Sequence, residues 1–231
     1  GGSGWSVGVA RRGAGDGETA RGETTNDHFS QYSATLARTF ALEGVNLGFQ
    51  ILPSVGDDIG KSNTDYPRRV TTYPRESHLL GRLFLEGAGW DASVWTHASE
   101  LHTRVRRDNG DGSDVRNEAL DLGANAQIAR ALANSITGVF GIDYLGRRGV
   151  NAREERFESF DPSTLETLHT LDATQDDLSA YGILRYSPGL VTVQGGARFL
   201  YDQQANAEAQ TDEDRISDTG VAAFLGANVV L

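Results

Sequence analysis

Residues 190–202 read LVTVQGGARFLYD, with Val191, Val193, Gly195, Ala197, Phe199 and Tyr201 alternating with Thr192, Gln194, Gly196, Arg198 and Asp202. Successive side chains of a strand point to opposite faces, so one face of this stretch suits lipid and the other water. The next segment repeats the division. Val221, Ala223, Leu225, Ala227, Val229 and Leu231 alternate with Asp218, Gly220, Ala222, Gly226 and Asn228. A hydrophobic period of two predicts strands.

The same template fits upstream. It selects Leu178, Ala180, Gly182, Leu184 and Tyr186, then Ile136, Gly138, Phe140, Ile142 and Tyr144, then Leu120, Leu122, Ala124, Ala126 and Ile128. Further back it selects Ala92, Val94, Thr96 and Ala98, then Leu79, Gly81, Leu83 and Leu85, then Val45, Leu47, Phe49 and Ile51. Tyr32, Ala34, Leu36 and Phe40 follow, and finally Trp5, Val7 and Val9. Arg38 and Arg11 interrupt the apolar sets near strand ends, where a long basic side chain can reach the headgroups. About ten strands are expected, with both termini at one rim.

The connections alternate in length. Residues 41–44, 87–89, 131–134 and 187–189 read as tight turns, whereas residues 12–27, 53–75, 103–117, 146–173 and 203–215 read as long polar loops. That alternation places tight turns at one rim of an up-and-down sheet and long loops at the other, the asymmetry of bacterial outer-membrane barrels. A soluble β-sandwich also has one apolar face per strand. Its strands average about five or six residues. Most segments here sustain alternation for about nine to eleven residues or more, the length of a tilted strand crossing a bilayer. The expected fold class is therefore all-β, a transmembrane antiparallel up-and-down β-barrel.

Composition is compatible. Residues 1–231 show no shift that would divide the chain and are read as one barrel segment. A formal net charge of -11 and a pI near 4.9 argue against a nucleic-acid partner. A mean hydropathy of -0.40 is low for a helical membrane protein, but half of every barrel strand faces water. Cysteine is absent, which fits an oxidising compartment. Methionine is absent too, so the chain is expected to be processed or truncated, with the signal peptide of an outer-membrane precursor outside it.

Three local patterns carry a family resemblance. They are Asp57, Asp58, Ile59 and Gly60 followed by the run from Thr71 to Pro74 and by His78, Leu79 and Leu80; the run from Gly141 to Tyr144 with Arg147 and Arg148; and Ser179, Ala180 and Tyr181 followed by the run from Gly195 to Arg198. In this order the chain resembles the barrel of TonB-dependent outer-membrane receptors, which import scarce nutrients such as ferric siderophores, haem or cobalamin. The resemblance implies a barrel of about twenty-two strands, within the range known for such proteins. This chain then supplies the first part, either as a fragment or as one piece of a split receptor. It also implies a plug domain, not visible in the sequence, that links the barrel to the TonB energy-transducing complex, an outer-membrane location and a small nutrient ligand. No cofactor is expected.

A small closed barrel of ten strands serving as an adhesin or structural protein is the alternative. A hydrolase using Asp57, Asp58, His78 and His97 is a further one, although no nucleophile elbow or zinc signature is present and catalysis is not expected. Ligand contact is expected from loop aromatics and charges, namely Tyr66, Arg68, Arg69, Tyr73, Arg147, Arg148 and Phe157, because arginine and aromatic side chains suit anionic or planar ligands. Among His28, His78, His97, His102 and His169, the sequence lets His78, His97 and His102 approach one another near the outer rim, where imidazole could ligate a metal or haem iron. Residues 108–114, DNGDGSD, could offer oxygen ligands to calcium but read more simply as a turn.

Overall fold

The computed structural model describes residues 3–62, 68–158, 161–206 and 215–229, without the side chains of residues 162, 169–172 and 206. Among these residues there is no helix and there are ten strands: β1 (Gly4–Ala14), β2 (Phe29–Leu42), β3 (Val45–Lys61), β4 (Arg69–Gly87), β5 (Trp90–Arg107), β6 (Gly112–Ala133), β7 (Ile136–Glu158), β8 (Asp161–Tyr186), β9 (Val191–Asn206) and β10 (Arg215–Val229). They form one antiparallel sheet in chain order, each strand paired with its neighbours in sequence. β1 and β10 are its two edges and, among the described residues, do not pair with each other.

The register carries each apolar set onto its neighbour. Tyr201 faces Leu178, Leu178 faces Tyr144, Tyr144 faces Ala124 and Ala124 faces Val94, and the row continues through Leu83 and Phe49 to Arg38 and Trp5. All the sets named from sequence therefore share one face. Among the described residues that face covers nothing. No hydrophobic side chain is buried among the described residues, while Val9, Leu83, Ile142, Phe199 and Leu225 are exposed by 85, 55, 56, 50 and 82%. The few buried polar side chains include Ser93, Asp121 and Ser179, all on the opposite face.

The tight turns are Glu43–Gly44, Ala88–Gly89, Asn134–Ser135 and the four residues 187–190. Gly44, Gly89 and Gly189 have φ of 74°, 76° and 118°, values that a Cβ would penalise. The long loops need correction. β3 and β4 extend to Lys61 and Arg69, β5 and β6 meet across residues 108–111, and β7 and β8 across residues 159–160. Most of residues 53–75, 103–117 and 146–173 is strand, because the hairpin ladder continues there without an apolar face, whereas residues 15–27 lie outside the strands and residues 207–214 lie outside the described residues. Polar residues on both faces erase the hydrophobic period that marks a strand in sequence.

On the polar face, aromatic rings lie over glycines directly across the ladder: Phe84 on Gly48, Trp95 on Gly123 and Tyr181 on Gly141. A side chain at Gly123 would occupy the space of the Trp95 indole. Gly123→Val should cost about 1 to 3 kcal/mol through overpacking. Denaturant unfolding in detergent with indole fluorescence will measure it.

Candidate functional site

The polar face is a network of paired charges. Near the tight turns, Gln127 donates to Asp91 at 2.7 Å and accepts from the Tyr181 hydroxyl at 3.0 Å. Arg198 crosses above the Tyr181 ring and donates to Asp143 at 2.7 Å and to Ser179 at 2.6 Å. Higher up, the Gln175 amide donates to both Asp177 and Asp202, holding two carboxylates side by side, and Asp218 continues their row on β10. These groups come from β5 to β10, and alternation alone brings them to one wall.

A second row runs across β4 to β7. Glu76 Oε1 lies 2.9 Å from His78 Nε2, His78 Nδ1 lies 3.1 Å from His97 Nε2, and His97 Nδ1 lies 3.7 Å from Asp121 Oδ2. Arg147 closes the row with two bonds to Asp121, at 2.6 and 3.2 Å. The histidine expectation is thus met for one pair. His102 lies on the other face, 3.7 Å from Asp114, and the His169 side chain lies outside the described residues.

The other expected ligand contacts are dispersed. Tyr66 lies outside the described residues. Arg68 approaches Asp108 at 3.6 Å and so ties the β3–β4 hairpin to the β5–β6 hairpin, while Arg69 and Tyr73 sit in β4 opposite Arg107 and Ile59. Arg147 belongs to the polar wall, but Arg148 is one residue on and faces the apolar side, bonded to Asp176 and to the Tyr144 hydroxyl. Phe157 lies under the Arg106 guanidinium at 4.7 Å. It borders a polar cavity of about 330 Å³ that also takes Arg107, Arg156, Glu154 and Glu166.

In residues 108–114 the turn reading prevails. Asn109 and Asp111 bond each other, and Asp114 is engaged by Arg104 and Arg106. Among the described residues, no group of three or more His, Cys, Asp or Glu side chains is placed to hold a metal ion. Asp57 and Asp58 do not join His78 and His97. Asp58, at φ 50°, lies 3.5 Å from His28 instead.

Sequence reasoning also missed a clasp on the loop between β1 and β2. Asp16 accepts from the backbone N–H groups of Asp27 and His28 and meets His28 Nδ1 at 2.7 Å. Asn26 donates to the carbonyls of Lys61 and Thr71, anchoring the loop to the β3–β4 hairpin. The hydrogen bond to Asp16 raises the His28 pKa above 6.5, and the bond from His28 holds the Asp16 pKa below 3.8.

Comparison with solved structures gives the copper transporter OprC, with a TM-score of 0.75 and 14% identity over 98% of this chain and 38% of that one. The ferric citrate transporter FecA in its unliganded form gives a TM-score of 0.61 and 13% identity over 96% of this chain and 36% of that one. What they share with this chain is the fold. The chain spans less than two-fifths of either transporter's length. No protein-family model matches the sequence, and no curated protein matches it.

The clasp has a pH window. The His28 contribution is complete below 6.5 and lost as pH rises through its raised pKa, whereas that of Asp16 is complete above 3.8 and lost as pH falls through its lowered one. The backbone amides of Gly17, Asp27 and His28, corrected for intrinsic rates, should therefore exchange more slowly at about pH 5 than at about pH 8. Asp16→Asn should remove that difference.

Proposed function

We propose that this chain forms part of the wall of an outer-membrane transport barrel of the TonB-dependent kind, taking up a scarce, metal-containing small nutrient such as a ferric siderophore or a haem- or cobalamin-type ligand. The observation that carries the reading is the exposed apolar face without a core beneath it. In water such a surface would be an aggregation liability. In a bilayer it is the lipid contact.

The distribution of aromatic residues on that face supports the reading. Trp5, Phe40, Trp90 and Tyr186 lie toward the tight turns, and Tyr32, Tyr144 and Tyr201 lie eight or so residues further along their strands. At about 3.4 Å per residue and a tilt of about 40°, eight residues cover about 21 Å, close to the apolar band between the aromatic girdles of such barrels. Arg38 stacks on Trp5 and Phe40 at 4.5 and 4.1 Å, so its charge sits at the girdle. An apolar groove of about 980 Å³ on this face, lined by Val9, Tyr32, Ala34, Leu79 and Leu120, suits acyl chains.

The polar wall supports a lumen of water or protein. In this reading β1 and β10 pair with further strands, in the same or a second chain, and the wall surrounds a plug that couples to the TonB complex. The named neighbours carry copper and ferric citrate, which favours a metal ion or chelate as cargo. The hairpin arginines and aromatics, among them Arg68, Arg69, Tyr73 and Phe157, would meet the ligand first. The reading assigns no reaction to the chain.

Lipid contact can be measured directly. In single-tryptophan variants reconstituted in brominated lipids, Trp5 should be quenched and Trp95 should not. Equal quenching would remove the assignment of faces. Leu122→Arg or Val193→Arg should each cost about 2 to 4 kcal/mol if these positions sit near the midplane. Replacing Arg68 and Arg69 together by Ala should weaken binding of ferric citrate, used as an anionic probe, and unchanged affinity would take this hairpin out of the site.

A further inference from the structure

The row from Glu76 to Asp121 contains three polar contacts between four groups, of which the two at 2.9 and 3.1 Å are hydrogen bonds and the third, at 3.7 Å, is not. Each neutral imidazole carries one N–H and one lone pair. If each ring turns its N–H to its carboxylate, His78 to Glu76 and His97 to Asp121, then His78 Nδ1 and His97 Nε2 are both acceptors facing each other at 3.1 Å. If instead one of them donates to the other, a lone pair must face a carboxylate. The second arrangement, with His97 donating to His78, satisfies both hydrogen bonds with two neutral rings and leaves the His97 Nδ1 lone pair 3.7 Å from Asp121. The first turns both lone pairs toward each other, the arrangement in which one ion can take both.

The geometry points to a binding site for a borderline transition-metal ion, of the Cu²⁺ or Zn²⁺ class, held by His78 Nδ1 and His97 Nε2. Three features support it. Imidazole is the ligand type those ions prefer. Histidines that bind metals almost always give their other ring N–H to a carboxylate or carbonyl, and here each ring has a carboxylate on its far side, Glu76 at 2.9 Å and Asp121 at 3.7 Å. Two nitrogens 3.1 Å apart, each about 2.05 Å from a metal, subtend an angle of about 100°, between square-planar and tetrahedral values.

The rings lie nearly parallel, 16° apart with centroids at 5.2 Å, so bringing their lone pairs together on one ion takes a turn about each Cβ–Cγ bond. Both side chains are partly exposed, at 35 and 28%, which leaves room for water or a chelating ligand to complete the coordination. Glu76 and Asp121 supply two negative charges and Arg147 one positive, so the immediate surroundings carry a net negative charge that favours the ion. Two protein nitrogens make a site for passage rather than storage, since conduction requires binding weak enough to release. That role rests on the transport reading. The binding itself does not.

The test uses the 231-residue chain folded in detergent, with Cu²⁺ alone as the probe. One Cu²⁺ per chain should bind with an electron paramagnetic resonance spectrum showing coupling to two equivalent nitrogens. That coupling should be lost in both His78→Gln and His97→Gln. Glu76→Gln should retain it while weakening affinity by about 10- to 100-fold, the usual effect of removing a carboxylate behind a ligating histidine. Binding unchanged in both histidine variants overturns the proposal. So does the absence of binding with a single proton shared between the two rings, read from their ¹⁵N resonances. Should a variant misfold, protection of His78 and His97 from diethyl pyrocarbonate by Zn²⁺ in the unaltered chain tests the same site, and modification at equal rates with and without Zn²⁺ overturns it. Failure here would leave quenching of Trp5 by lipid unaffected, so the two readings fail separately.

Discussion

One continuous antiparallel sheet assigns the residues of its apolar belt to one of two faces, and the rest of the molecule depends on that assignment. Backbone N–H and C=O groups that are paired within the sheet need no water, which is the condition for crossing hydrocarbon. The ladder also fixes the register, so a single slip would move Leu83 to the polar wall and Arg82 to the apolar face. Register here is held from both sides, by continuity of the apolar rows and by cross-strand pairs such as Trp95 with Gly123 and Arg198 with Ser179 and Asp143.

The register is constant through the apolar belt and shifts beyond it. Register shifts occur at Thr72/Arg75, Glu118/Leu120 and Arg147/Val150, and the last coincides with Gly149 at φ 55°. Bulges add local twist and re-aim side chains. Their position outside the belt leaves the apolar rows undisturbed and gives the long hairpins freedom to converge. Lateral contacts then tie those hairpins together, through Asn26, Arg68 with Asp108, and Arg106 over Phe157.

The apolar rows were legible in the sequence because a single physical quantity, side-chain polarity, alternates there with period two. The polar hairpins were not, since in β7 residues such as Arg153, Glu154, Glu155 and Arg156 are equally hydrophilic on both faces. The candidate site was legible only in part. Proximity of His78 and His97 followed from adjacent strands, but the displacement of His102 to the other face followed from a count along β5 that polarity did not reveal. Arg147 and Arg148 show the same lesson: neighbours in a strand diverge, and a dipeptide of like residues serves two environments. The clasp of Asp16 and His28 depends on loop geometry, for which no periodic signal exists.

Because the strands follow one another in chain order, each hairpin is a self-contained unit of the wall. Removing or duplicating a hairpin would change the circumference while leaving the pairing inside the other hairpins intact. Such a sheet can grow by repetition of two strands at a time, and its width becomes a variable that gene duplication can tune without redesigning a core.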